Sequence, residues 1–161
     1  MTDWPVRRVD ACEIEALADV WHDAWHDAHA CCVPADLTAI RTHASFRERL
    51  NALGDAVRTI GAIGAPAGLC AIQDDQLYQI YVSRNARGTG AAVALLEEGE
   101  RRLAANGIRK AWLDCVIQNT RAIRFYTRQG WVDSGTHTAT LAGLGTDFPL
   151  KVRVFRKILI P

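Results

Sequence analysis

A β-prone run, a glycine-containing loop and a helical segment follow one another in the middle of the chain. The run covers residues 77–82, the loop reads SRNARGTG, and the helix is predicted over about 90–106. Such a junction presents free backbone N–H groups and the positive end of a helix dipole, so it binds phosphate well. The two glycines of the loop, at 88 and 90, allow a phosphate to approach the main chain closely.

The rest of the chain continues the alternation of strands and helices. Further strands are predicted over residues 5–10, 57–63, 69–72, 111–116, 131–137 and 152–158. Further helices are predicted over residues 12–30, 36–53 and 119–130, with Asp36 as the N-cap of the second and Gly54 at its end. This order predicts an α/β or α+β fold, in which helices pack on a sheet. The length suits one domain, spanning residues 1–161.

Composition narrows the range of functions. Nineteen basic residues nearly cancel eighteen acidic ones, which argues against a nucleic-acid partner. No apolar run is long enough to span a bilayer, and the first ten residues lack the apolar core of a signal peptide. The five cysteines are odd in number and include no C-x-x-C pair, which suits a reducing compartment. We therefore expect a cytoplasmic protein with no membrane segment.

The loop departs from two common nucleotide-binding motifs and matches a third. A Walker loop requires Gly-Lys, which the chain lacks, and G-x-G-x-x-G would need glycine where Val93 stands. The segment Arg87-Gly88-Thr89-Gly90-Ala91-Ala92 instead resembles the Q/R-x-x-G-x-G/A signature of the GNAT acyltransferase superfamily. Residues 119–131, NTRAIRFYTRQGW, are similar to the N-x-x-A-x-x-F-Y-x-x-x-G-F/W segment of the same family. The resemblance covers essentially the whole chain and is sharpest over residues 77–131.

The resemblance implies a GNAT fold, with a mixed, mostly antiparallel sheet of about seven strands flanked by about four helices. It also implies an N-acetyltransferase, which moves an acetyl group from acetyl-CoA to a primary amine of a small molecule or peptide by direct attack. Acetyl-CoA would be the co-substrate, and no metal is expected. A homodimer is expected only by analogy with other members of the family.

The same resemblance assigns contacts with acetyl-CoA. The backbones of Ile80 and Val82 would run alongside the pantetheine arm, and Asn119 would contact that arm, cap its helix, or do both. The phosphates would be held by the main-chain amides of one continuous segment, Arg87, Gly88, Thr89, Gly90, Ala91, Ala92 and Val93. The Arg87 side chain either adds a charge-assisted contact or faces solvent, and Arg84 is expected to face solvent.

Tyr126 is the candidate general acid. A phenol with a pKa of about 10 can protonate a departing thiolate and still be neutral at pH 7. The alternative for Tyr126 is a half-buried aromatic residue beside Phe125. The general base stays open, because the strand over 77–82 carries no carboxylate, and the candidates are His29, Asp75, Asp114 and His137. A covalent route through Cys115 is disfavoured, because no histidine is near it in sequence.

The segment WHDAWHDAHACC, residues 21–32, allows three interpretations. At about 100° per residue, its three histidines form one stripe at the margin of the apolar helix face. They could be polar boundary residues, or the helix could form a wall of the acceptor cleft, with Trp25 and His29 as substrate contacts. In the third interpretation His22 and His26 chelate zinc.

Two other functions remain open. The missing strand carboxylate favours a catalytically silent acyl-CoA-binding module with a regulatory role. The histidine pair would allow a zinc-dependent hydrolase.

Overall fold

The computed structural model describes residues 3–142 and 147–160. Within these ranges seven strands form one mixed sheet in the order β1-β2-β3-β4-β5-β7-β6. The strands are β1 Arg7–Arg8, β2 Val57–Ala62, β3 Ala65–Gln73, β4 Gln76–Val82, β5 Lys110–Val116, β6 Val132–Ala142 and β7 Asp147–Ile158. Neighbouring strands run antiparallel except β4 and β5, which run parallel.

Helices cover both faces of this sheet. They are α1 Ile14–His29, α2 Ala35–Ile40, α3 His43–Leu53, α4 Ala91–Ala105 and α5 Thr120–Arg128. Side chains along β3 alternate between the faces, so Leu69 and Ala71 pack with α1 and α3, whereas Cys70 packs with α4. The predicted fold class is confirmed. None of the helices in the described ranges combines the length and apolarity needed to cross a membrane.

The single helix predicted over residues 36–53 is wrong, because the chain forms α2 and α3 there. Thr42 adopts an extended conformation (φ −85°, ψ 165°), and its side chain accepts a hydrogen bond from the Ser45 N–H. This N-cap starts a new helix and interrupts the periodicity. Asp36 is not an N-cap, because Pro34 occupies that position before α2. The predicted end at Gly54 is confirmed, with a positive φ of 55°.

The sheet opens between β4 and β5. Their only paired residues in the described ranges are Gln76 and Trp112, supported by a hydrogen bond from the Trp112 N–H to the Asp75 carbonyl at 3.2 Å. Beyond this point the two strands share no ladder pairs. Neighbouring strands in a continuous ladder lie about 4.8 Å apart, so the lack of pairing creates a cleft in the middle of the sheet.

An irregularity in the pairing of β3 and β4 adjusts the side chains of β4. The register shifts between Ala71 and Ile72, which leaves Tyr78 as an extra residue in β4. A β-bulge of this kind re-aims neighbouring side chains. Tyr78 and Tyr81, three residues apart, accordingly both pack against the cluster formed by α1 and α3.

Candidate active site

The opening between β4 and β5 leads into a cavity of about 610 Å³. Its walls come from α1, the α2–α3 segment, β4, β5 and α5, together with parts of β6 and β7. Among the predicted site residues, those that line it are Trp25, His29, Ile80, Asp114, Asn119 and Tyr126, whereas Val82 and residues 87–93 do not. Segments far apart in sequence therefore meet in one concave site, as expected of a small-molecule pocket.

The loop after β4 ends in an uncapped helix N-terminus. Gly88 and Gly90 have positive φ angles of 72° and 90°, and Gly90 is the N-cap residue of α4 without a side-chain cap. The first helical hydrogen bond runs from the Ala94 N–H to the Gly90 carbonyl at 3.0 Å. Within the described ranges, the N–H groups of Ala91, Ala92 and Val93 therefore precede the first bonded turn and lack helical acceptors.

The space above this loop is open. A Cβ atom added at Gly88 or Gly90 would meet no protein atom within 4 Å. Two hydrogen bonds stabilise the loop. The Thr89 hydroxyl donates to the Ala86 carbonyl, and Trp4 Nε1 donates to the Thr89 carbonyl at 3.2 Å. These glycines are needed for their backbone conformation and leave room for a ligand rather than for a side chain.

Two arginines of the loop share one carboxylate of α1. Arg84 Nη2 lies 2.9 Å from Asp27 Oδ1, and Arg87 Nη2 lies 3.2 Å from Asp27 Oδ2. Burial raises the pKa of Asp27, but the hydrogen bonds and charges of the two arginines outweigh it and lower that pKa. Arg84 is 75% exposed, as predicted, whereas Arg87 is mostly covered. Burial and the charge of Arg87 lower the pKa of Arg121 of α5, although the charge of Asp27 raises it, so Arg121 is a third cation beside this pair.

The hydrogen-bond pattern of β4 determines which backbone groups face the cleft. Ser83 N–H donates to the Ala67 carbonyl at 2.8 Å, so the pair Ser83–Ala67 is a hydrogen-bonded one. Such pairs alternate in an antiparallel ladder. The register pairs Ile80 with Cys70 and Val82 with Gly68. The N–H and C=O groups of Ile80 and Val82 therefore point away from β3, toward the side where β5 has diverged.

Asn119 caps α5. Its Oδ1 accepts a hydrogen bond from the Ala122 N–H at 3.2 Å, and the same residue lines the cavity. Capping uses the side-chain oxygen and leaves the amide NH₂ group for another partner. The two explanations offered from sequence are thus compatible.

Tyr126 is buried where α5 meets the cavity. The residue is 7% exposed, and its ring lies 5.3 Å from Phe125, 6.4 Å from Trp131 and 6.0 Å from Phe155 between centroids. Burial raises the pKa of Tyr126 well above its ordinary value, so the phenol keeps its proton at neutral pH. Burial also raises the pKa of the nearby Cys115 to about 12, and a protonated thiol is a poor nucleophile.

The four candidate bases occupy different surroundings. Asp75 is exposed and accepts a hydrogen bond from Trp112 Nε1 at 2.8 Å, and His137 is exposed on β6. Asp114 lines the cavity, and burial raises its pKa, although the charge of His137 lowers it. His29 is 6% exposed, and burial lowers its pKa to about 4. His29 Nδ1 donates to the Trp25 carbonyl at 3.1 Å, which leaves Nε2 of the neutral ring as an acceptor.

The histidines of α1 divide between two environments. His29 faces the cavity together with Trp25, as the acceptor-wall interpretation requires. His22 instead stacks on His43 with ring centroids 3.7 Å apart, and His26 Nε2 donates to the Arg41 carbonyl at 2.8 Å. Among the described residues, the group of three side chains that could together hold a metal ion is His22, Asp23 and His43, whose ligand atoms all lie within 4.8 Å of one another. This group differs from the predicted pair of His22 and His26, and it lies outside the residues that line the cavity.

Sequence reasoning missed several residues of the cavity wall. Arg41 and Arg49 line it, as do Tyr78 and Tyr81, which were not assigned a role. The arginines are eight residues apart, and a single continuous helix over 36–53 gave no reason to single them out. The break at Thr42, which the Thr-x-x-Ser spacing could have suggested, decides where Arg41 lies.

The chain is similar to known acetyltransferases in sequence. It matches the model of the acetyltransferase (GNAT) family over residues 14–131. An uncharacterized N-acetyltransferase of Mycobacterium tuberculosis is 36% identical over 69 residues, which cover 43% of this chain and 44% of that protein. The matched part of the chain thus spans less than half the length of this curated relative.

Solved structures share the fold over nearly the whole chain. A GCN5-related N-acetyltransferase from Rhodopseudomonas palustris superposes with a TM-score of 0.77 at 19% identity, covering 99% of this chain and 98% of the other. A putative acetyltransferase from Salmonella typhimurium, solved with its cofactor acetyl-CoA, gives a TM-score of 0.67 at 16% identity, covering 99% and 96%. At these identities the likeness establishes the fold.

Proposed function

The chain belongs to the GNAT family of acetyltransferases, and on this basis we propose that it moves an acetyl group from acetyl-CoA to the primary amine of a small molecule or peptide. Residues 1–161 act as one domain in this proposal. The observation that carries it is a cavity lined by the unpaired edge of β4 and by the buried Tyr126, with the uncapped N-terminus of α4 following directly after that strand.

The residues around the loop suit the phosphates of coenzyme A. Amides from Gly88 through Val93 offer donors to a diphosphate, and the open space over Gly88 and Gly90 lets it approach the main chain. The Arg87 amide, also predicted as a donor, instead donates to the Arg84 carbonyl at 3.3 Å. Arg87 and Arg121 supply positive charge there. The cleft-facing backbone groups of Ile80 and Val82 and the amide of Asn119 suit the polar pantetheine arm.

Acetyl-CoA supplies the thioester, and the chain supplies proton transfer and orientation. Asp114 accepts a proton from the incoming ammonium group, which frees the nitrogen lone pair to attack the thioester carbon. A C–N bond forms and the C–S bond breaks. Tyr126 donates its phenolic proton to the sulfur of the departing thiolate. The nitrogen loses its second proton through solvent to the Tyr126 phenolate, and Asp114 releases its proton to solvent. Trp25 and His29 form the acceptor side of the cavity.

Replacement of Tyr126 by phenylalanine tests this mechanism. The variant keeps the ring packing and loses the proton donor, so we expect kcat to fall about 10²- to 10⁴-fold with acetyl-CoA affinity unchanged. Thiol release across a panel of amines measures the first quantity, and calorimetric titration with acetyl-CoA measures the second. Cys115→Ala should retain turnover, because direct attack needs no thiol. Turnover by Tyr126→Phe at the wild-type rate would remove the tyrosine from the mechanism.

One observation favours a second candidate, a silent acyl-CoA-binding module. Strand β4 carries no carboxylate, and the Asp75 carboxylate just before it already accepts a hydrogen bond from Trp112 Nε1. Saturable binding of acetyl-CoA, without turnover on any amine and with no change in Tyr126→Phe, would support the module instead.

The surroundings proposed for this activity are cytoplasmic, without a nucleic-acid partner. The five cysteines lie in the described ranges and form no disulfide there, and basic and acidic residues nearly balance. A homodimer is proposed by analogy with the family and can be measured by sedimentation.

A further inference from the structure

We propose that the acceptor amine also carries a carboxylate, and that Arg41 and Arg49 bind this carboxylate. The proposal rests on the proposed acetyltransferase function and names the class of its second substrate. Both arginines line the cavity that Tyr126 lines, so an anion held by them would lie in the same space as the reacting amine.

The two guanidinium groups have unused donors. Arg41 Nε and Arg49 Nη1 are buried and have no hydrogen-bond partner among the residues that the structure describes. Buried polar groups in folded proteins are nearly always paired, and a buried charged donor without a partner is strongly unfavourable. A ligand that accepts both hydrogen bonds removes this penalty on binding.

Both guanidinium groups line this one cavity, so their like charges repel one another. Burial and the charge of Arg49 both lower the pKa of Arg41. The phenols of Tyr78 and Tyr81 act on that pKa in the opposite direction. Among the ion pairs of the described residues, none joins Arg41 or Arg49 to a carboxylate. An anion placed between the arginines neutralises their repulsion, and a carboxylate matches the planar guanidinium geometry.

The surrounding residues hold the arginines in position. The Arg49 guanidinium carbon lies 4.3 Å from the centroid of the Trp21 ring and 5.5 Å from that of Phe46. Stacking on an aromatic face leaves the in-plane N–H groups for hydrogen bonds. The main chain of Arg41 is fixed by the hydrogen bond from His26. Little side-chain entropy is therefore lost when the anion binds.

The cavity has its negative group at another place. Asp114 is the carboxylate among the described lining residues. Burial raises the pKa of Tyr81, the charges of Arg49 and Arg41 lower it, and the charge of Asp114 raises it, so charges of both signs surround this phenol. An acceptor with a carboxylate at the arginines and an ammonium group at Asp114 complements both charges. Polycationic acceptors do not, because the arginines repel them.

Matched pairs of acceptors test the proposal directly. A series of ω-amino acids and the corresponding amides differ in one negative charge, and peptides with and without an acidic residue beside the amine form a second arm. We expect the wild-type kcat/KM to favour the acid over its amide by about 10-fold or more, since a charge-assisted contact is lost with the amide. The two arms distinguish a free amino acid from an acidic peptide as the source of the carboxylate.

The variants Arg41→Gln and Arg49→Gln should remove this preference. We expect each to raise KM for the acid about 10- to 100-fold and to lower kcat/KM for the acid much more than for the amide, so that the preference for the acid is lost. Arg47→Gln is the matched control, because Arg47 lies on α3 together with Arg49. It pairs with Glu15 at 3.3 Å and does not line the cavity. Arg41→Lys and Arg49→Lys keep the charge and cover the case in which a glutamine variant fails to fold.

Equal use of acid and amide by the wild type overturns the proposal, as does an equal loss of acid preference in Arg47→Gln. Turnover of amines and calorimetric binding of acetyl-CoA together separate this outcome from failure of the proposed function. Turnover of neutral amines alone would leave the acetyltransferase standing and remove the carboxylate. If acetyl-CoA neither binds nor reacts, the acetyltransferase fails, and titration of the Tyr126→Phe variant with acid and amide still decides whether the arginines bind a carboxylate.

Discussion

Burial acts on two ionisable residues of the cavity in the same direction but with different consequences. It raises the pKa of Tyr126, so this phenol remains a proton donor at neutral pH. It also raises the pKa of Asp114, which makes this carboxylate a stronger proton acceptor than an exposed aspartate. One desolvated cavity thereby provides an acid and a base from residues that are ordinary in sequence.

Asp114→Asn tests the base. Because the base works only when ionised, wild-type kcat/KM should fall as the pH drops through the raised pKa of Asp114. We expect the variant to lose about 10²-fold or more in kcat/KM at neutral pH, together with this acid limb. Asp75→Asn is the control, and the assignment is wrong if that variant loses activity while Asp114→Asn does not.

The same substitution has an opposite effect on stability. A raised pKa means that the folded state binds the proton more tightly than the unfolded chain, so the ionised carboxylate destabilises the fold above that pKa. Asp114→Asn should therefore raise the unfolding temperature at neutral pH, and this gain should vanish below the unfolded pKa of about 3.9.

His29 should dominate the stability change between pH 6.5 and 4. Its pKa falls from 6.5 to about 4 on folding, so the unfolded chain binds more protons in that range and stability decreases as the pH decreases. At about 1.4 kcal/mol per pH unit, the free energy of unfolding should drop by about 3 kcal/mol. Denaturant titrations at several pH values measure this slope. It should flatten in His29→Gln and persist in His43→Gln, which changes an exposed histidine.

Secondary-structure elements differ in how far sequence predicts them. The strand–loop–helix junction after β4 is determined by local features, two glycines and an uncapped helix, and it appears as predicted. The break between α2 and α3 depends on a competition between apolar periodicity and one threonine cap, and the cap prevails at Thr42. The cleft-facing groups of Ile80 and Val82 follow from strand register, which depends on partners elsewhere in the chain.

Gly90→Ala and Gly107→Ala separate backbone strain from ligand contact. Both glycines have positive φ, 90° and 84°, and neither would bring a Cβ within 4 Å of a protein atom. We expect each variant to lose about 1–2 kcal/mol of stability. Only Gly90→Ala should weaken acetyl-CoA binding, by about 10-fold or more, because its methyl group would occupy the phosphate site. Thermal unfolding and calorimetry measure the two effects, and equal affinities in both variants would contradict the phosphate assignment.

At the scale of the whole molecule, the site depends on a sheet that separates in its middle. Tyr126 of α5, Asp114 of β5 and Arg49 of α3 meet only because β4 and β5 stop pairing after Gln76 and Trp112. The resemblance of residues 119–131 to the family's segment singled out Tyr126, which lies in this cavity. It could not identify Arg41 and Arg49, whose importance appears only once their lack of partners is seen in the folded chain.

Asp27 connects α1 with the loop after β4 and should compete with the coenzyme for the arginines of that loop. Its carboxylate pairs with Arg84 and Arg87, the cations nearest the phosphate loop. Asp27→Asn removes a negative charge from that site, so we expect acetyl-CoA to bind a few-fold more tightly at low salt, with the gain shrinking as ionic strength rises. Calorimetry at two salt concentrations measures this, and weaker binding would show that Asp27 mainly organises the loop.

Helix α1 carries Asp27 on the side of the phosphate loop and Trp25 and His29 on the side of the cavity. If α1 shifts when the Asp27 carboxylate separates from Arg84 and Arg87, the Trp25 indole and the His29 imidazole shift with it. Thermodynamic reciprocity then requires that each substrate change the affinity for the other by the same factor. A single turn of helix would thus make the affinity for either substrate depend on whether the other is bound.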